Sequence, residues 1–76
     1  MKEYIEFIVK PLVDNPDEVN VTEVGGTGTV VYELRVAGGE LGKVIGKKGQ
    51  TIKALRTLVT AASARQGKRA VLEVLE

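Results

Sequence analysis

Residues 41–52 read Leu41-Gly42-Lys43-Val44-Ile45-Gly46-Lys47-Lys48-Gly49-Gln50-Thr51-Ile52. The glycines at 46 and 49 interrupt otherwise helical sequence. With no Cβ, they allow a sharp turn and let a ligand approach the backbone closely. Lys47 and Lys48 occupy the tip of that turn. The residues after Gly49 begin a helix, whose leading N–H groups and positive dipole end favour anions. Ile45 and Ile52 flank the turn and suit anchoring of both helices in a core, while Val44 offers apolar surface for bases to rest on. Glycines, a helix start and two ammonium groups together suit a phosphate backbone. A plain helix connector uses the same glycines but does not call for paired lysines.

Outward from this turn, the pattern alternates between helix and strand. Downstream, a long helix is expected from Gln50 to about Gln66, with Ile52, Leu55, Leu58, Val59 and Ala62 on one face. Lys53, Arg56, Thr57 and Thr60 fall on the other. Gly67 suits the C′ position that ends it, and Ala70 to Leu75 reads as a final strand. Upstream, Glu40 to Ile45 is long enough for a short helix. Val30 to Val36 alternates with period 2, and Val19 to Val24 reads as a second strand across a glycine-rich turn, so a hairpin is expected. Residues 2–13 carry Ile5, Ile8, Val9 and Leu12 at helical spacing, with Pro11 expected to kink the last turn. The order is helix, strand, strand, short helix, long helix, strand. Three strands with apolar faces need helices to cover them, which predicts an α+β two-layer sandwich of a three-stranded sheet and three helices.

The composition narrows the function. Seventy-six residues make one domain, expected to span residues 1–76. A chain this short buries only about 60% of its unfolded surface. With no Cys and no His, disulfides and structural zinc are out, and no metal or other cofactor is expected. The same absences remove the usual general bases and thiol nucleophiles, and Ser63 is the only serine, so no enzymatic activity is expected. No apolar run reaches the 18 residues of a membrane span, and Met1-Lys2-Glu3-Tyr4 shows no signal-peptide pattern, so the expected location is the cytoplasm. The net charge of +1 conceals a division: residues 1–34 sum to −5, residues 35–72 to +8 with Glu40 their only acid, and the last four to −2. A basic half commonly meets a polyanion, although charge alone leaves open a role in solubility only. A Walker A loop does not fit, because Gly42 and Gly46 are four apart where that motif needs five.

Val44 to Ile52, VIGKKGQTI, resembles the VIGxxGxxI signature of KH domains, whose GXXG loop clamps about four nucleotides of backbone. The helix and strand over 1–24, ahead of a β-α-α-β core over 30–76, resemble the type II arrangement, α-β-β-α-α-β. Chain length, the stretch from Ile8 to Val13 and the paired lysines are similar to the bacterial KhpA family, and the likeness covers essentially the whole chain. The resemblance implies a dimerising RNA chaperone or post-transcriptional regulator that pairs with itself and with a larger KH partner, KhpB. It also implies a link to cell shape and cell-wall homeostasis. The loop falls on Gly46, Lys47, Lys48 and Gly49, and the hydrophobic signature on Val44, Ile45 and Ile52.

The expected RNA contacts are therefore Gly46, Lys47, Lys48, Gly49, Lys43, Val44 and Lys53. Lys43 serves equally well as a solvated helix charge, Lys53 suits that role more readily than contact, and Val44 suits a core position more readily than a ligand floor. Arg56 extends the basic track more weakly, and Arg35, Lys68 and Arg69 read as solubilising strand-end charges. Tyr4, Phe7 and Tyr32 are the only aromatics, too few for a reader that stacks bases on exposed rings. Ala54, Leu58 and Ala61 form one flank of the long helix and are expected either to seam a homodimer or to pack on the first helix. Two other functions stay open: a protein-interaction module whose loop is vestigial, and a single-stranded DNA binder.

Overall fold

The computed structural model describes residues 1–75; Glu76, the end of the expected core segment, lies outside them. Helix α1 spans Lys2–Val9 and buries Ile5 and Val9, spaced four residues apart, on one face. The α form stops there, short of the expected residue 13, and a 3-10 turn covers Lys10–Leu12. Pro11 is the cause, since it has no N–H to donate and its ring crowds the carbonyl one turn back. The tighter turn advances about 120° per residue, and Val13 is buried while Leu12 stays 36% exposed.

Strands β1 (Asn20–Gly25) and β2 (Thr29–Arg35) form the expected antiparallel hairpin, running from Asn20 opposite Arg35 to Gly25 opposite Val30. Strand β3 (Arg69–Val74) lies on the other side of β2 and runs parallel to it, Leu72 opposite Tyr32. The sheet is therefore mixed, in the order β1-β2-β3. A parallel pair needs a crossover, which helices α2 (Leu41–Ile45) and α3 (Gln50–Arg65) supply. Alternate residues Val21, Tyr32, Leu34 and Leu72 turn inward to meet Ile5, Val9, Val44, Ile52, Leu55 and Val59. Val24 and Val71, of opposite phase, stay 48% and 37% exposed. One covered sheet face makes the two-layer α+β sandwich that the pattern of elements predicts.

Two details of α3 matter for the site. Gly67, at φ 70°, ends it with the Lys68 N–H on Ser63 O and the Gly67 N–H on Ala64 O, both at 3.1 Å, a Schellman closure. Its buried stripe is Ile52, Leu55, Val59 and Ser63. Leu58, grouped by the helical wheel with the core face, is instead 44% exposed. Ser63 takes the inner position and donates to Thr60 O at 3.0 Å.

Candidate nucleic-acid interface

Gly46 sits at φ 76°, ψ 171°, a region essentially closed to residues with a side chain. A Cβ there would also lie 2.1 Å from Thr51 Oγ1 and 2.9 Å from the Thr51 backbone nitrogen. The turn can thus close onto the first turn of α3 only because residue 46 is glycine. Lys48 and Gly49 follow in the left-handed region, at φ 57° and 73°. Lys48 is the one non-glycine with positive φ among the described residues. That conformation costs a non-glycine residue about 1–2 kcal/mol, so the tip of the turn carries strain. Lys47 and Lys48 are both exposed, and no side chain caps the start of α3.

From the loop, Lys53, Arg56, Thr60 and Ala64 succeed one another at three- and four-residue steps along one face of α3. Arg56 donates its Nε–H to Leu72 O at 3.3 Å, which ties this face to β3. Between them lies a hollow of about 360 Å³ that Lys68 and Arg69 also line, over Ala70 and Ala64. Lys68 and Arg69, read from the sequence as solubilising charges, are thus brought beside Arg56. Only the docking of β3 does this, and no local signal announces it. Arg35 does not join them, because Arg69 pairs with Thr29 at the other end of β2. Tyr32 is core, and Phe7 stands 74% exposed on α1, outside the residues that line the hollow.

Two of the expected contacts are engaged within the fold. Val44 is completely buried in the core, so its side chain is no floor for bases. The short α2 has one inward face, and Val44 anchors it. Lys43 is not a free cation: its ammonium bonds the Asp14 carboxylate and lies 3.8 Å from Glu40 Oε1. The Asp14 hydrogen bond is the main reason its pKa is raised above the usual lysine value, although some desolvation opposes it. Glu40, 5% exposed, accepts the backbone N–H of Asp14 at 2.5 Å and of Asn15 at 3.3 Å. Its standing as the only acid between residues 35 and 72 was the one available hint.

On the other flank of α3, Ala54, Leu58 and Ala61 are all exposed. Leu58 and Ala61 line a shallow hollow with Tyr4, Ala62 and Arg65, so α1 reaches its rim without covering it. Among the described residues no group of three or more His, Cys, Asp or Glu is placed to hold a metal ion, and no helix is long and apolar enough to cross a membrane.

An α-β-β-α-α-β order with a Gly-x-x-Gly turn between its last two helices is the architecture of a type II KH domain. The family model described as "KhpA/KhpB, KH domain" matches residues 2–74. The chain belongs to that family. It is 57% identical over 76 residues to the RNA-binding protein KhpA of Aquifex aeolicus, covering 100% of this chain and 96% of that one. It is 53% identical over 76 residues to the protein of the same name from Chlamydia trachomatis, covering 97% of it. The Clostridium acetobutylicum protein of that name is 49% identical over 75 residues, covering 99% of this chain and all of its own. No solved structure matches.

Proposed function

We propose that this chain binds single-stranded RNA, gripping the backbone at Gly46-Lys47-Lys48-Gly49. The strand then continues past Lys53 and Arg56 towards Lys68 and Arg69. The observation that carries this reading is the loop itself: two exposed lysines on a turn that glycine closes, at the uncapped start of α3. The relatives named RNA-binding protein KhpA support it. Val44 serves by anchoring α2, and Lys43 joins only after leaving Asp14. A small, mainly electrostatic grip suits an RNA chaperone or post-transcriptional regulator in the cytoplasm. The link to cell shape and cell-wall homeostasis rests on resemblance alone.

The test is a titration of a short single-stranded RNA at several salt concentrations. Release of counterions from two or three phosphates gives a log–log slope of about −1.5 to −2. A slope near zero would remove the phosphate grip. The same titration with DNA of equal sequence separates the alternative polymer, since a contact that uses the 2′-OH weakens on DNA.

A second reading concerns self-association and is compatible with the first. The exposed Leu58, between Ala54 and Ala61, favours a homodimer across this flank of α3, or a heterodimer with a larger KhpB-like KH protein. Small residues let two helices approach closely, and a dimer would present two RNA grooves and gain by avidity. Because Leu58 is outside the core, Leu58→Glu should keep the fold; surface substitutions usually change stability by about 0.5 kcal/mol or less. The expected result is a dimer for the wild type and a monomer for Leu58→Glu by sedimentation. A wild-type monomer at about 100 μM would exclude a useful homodimer.

A further inference from the structure

Lys43 stands on α2 three residues before Gly46, about 5 Å away along the helix axis. Two carboxylates of unlike standing hold it. Glu40 is buried, and its oxygens are committed to the backbone N–H groups of Asp14 and Asn15, so its position belongs to the fold. The Asp14 side chain is 76% exposed, and only Lys43 engages its carboxylate among the described residues. What the fold needs from residue 14 is its N–H, which every residue but proline supplies.

We infer that Asp14 competes with RNA phosphates for Lys43 and so sets the affinity of the loop. This rests on the RNA-binding reading above. Exposed ion pairs are weak, so a phosphate arriving at Lys47 and Lys48 can draw Lys43 away, but only by displacing a carboxylate already in place. Asp14 belongs to the acidic half of the chain and Lys43 to the basic half. The turn after α1 thus lowers the effective charge beside the loop by one.

The experiment titrates an eight-nucleotide single-stranded RNA, at several salt concentrations, against the wild type and three variants: Asp14→Asn, Asp17→Asn, and Asp14→Asn with Lys43→Met. Asp14→Asn is expected to bind about two- to five-fold tighter, with a log–log salt slope steeper by about 0.7. Asp17→Asn makes the same change in net charge on the exposed 3-10 turn next door and should gain clearly less. Adding Lys43→Met to Asp14→Asn should return affinity and slope to the wild-type values. Equal gains from Asp14→Asn and Asp17→Asn, a gain that survives Lys43→Met, or no gain at all would each overturn the inference. Reversal of the loop charges keeps the two readings apart. If that reversal abolishes binding while Asp14→Asn changes nothing, this inference fails and the loop reading stands. If the reversal is harmless while Asp14→Asn still tightens binding through Lys43, the loop reading fails instead.

Discussion

Replacing both Lys47 and Lys48 with Asp is expected to lower affinity for a short single-stranded RNA by about 100-fold, or roughly 3 kcal/mol at 1.4 kcal/mol per decade. Each replacement removes one attraction and adds one repulsion. At contact distance in water each such interaction is worth about 1 kcal/mol or slightly less, and four of them make up the total. The fold should survive. Both side chains are exposed, and Asp tolerates the left-handed backbone of position 48 better than most residues. Circular dichroism run beside the titration checks this. A folded double variant that binds as tightly as the wild type would end the RNA-clamp reading and move the contact away from the loop.

Gly46→Ala is expected to be the most damaging single substitution in the loop, and its damage is to stability. Residue 46 occupies a backbone region that costs a non-glycine residue about 1–3 kcal/mol. The new Cβ would also overlap the Thr51 side chain, and relief means moving backbone, because the Thr51 nitrogen is 2.9 Å away as well. A total of about 3 kcal/mol corresponds to a fall in Tm of roughly 12–24 °C for a domain of this size. Gly49→Ala is the control. Its positive φ is strained for alanine, but the nearest heavy atom to a Cβ there is Ile52 Cγ2 at 4.0 Å, so about 1–2 kcal/mol is expected. Gly49→Asn should cost less still, because asparagine accepts the left-handed region. Equal melting temperatures for Gly46→Ala and Gly49→Ala would mean that the close approach of Thr51 does not hold the turn.

Most of the fold is local in origin and therefore legible along the chain. The apolar spacing of Ile52, Leu55 and Val59 marks the inner face of α3, Gly67 marks its end, and the alternation from Val30 to Val36 marks β2. Pro11 signals trouble in the first helix, although not that a 3-10 turn would carry Val13 inward in place of Leu12. The helical wheel fails at Leu58 because it assigns faces from one helix alone. Which edge of an apolar stripe is covered depends on where the neighbouring layer lies, and here the covered edge runs through Ser63. The loop is legible for the same reason as the elements: positive φ at residues 46 and 49 is a demand on the glycines themselves, and the paired lysines are adjacent in the chain.

The elements, their order, the glycine-closed turn and the lysines at its tip all follow from local sequence, because each depends on backbone preferences and side-chain spacing over a few residues. Which charges act together is set by long-range packing. Parallel pairing of β3 with β2 brings Lys68 and Arg69 beside Arg56, although twelve or more residues separate them in the chain. Packing of the turn after α1 against α2 places Asp14 on Lys43 across 29 residues and sends Glu40 back to the same turn. Electrostatic pairing depends on distance in space, and that distance exists only once the helices have settled on the sheet.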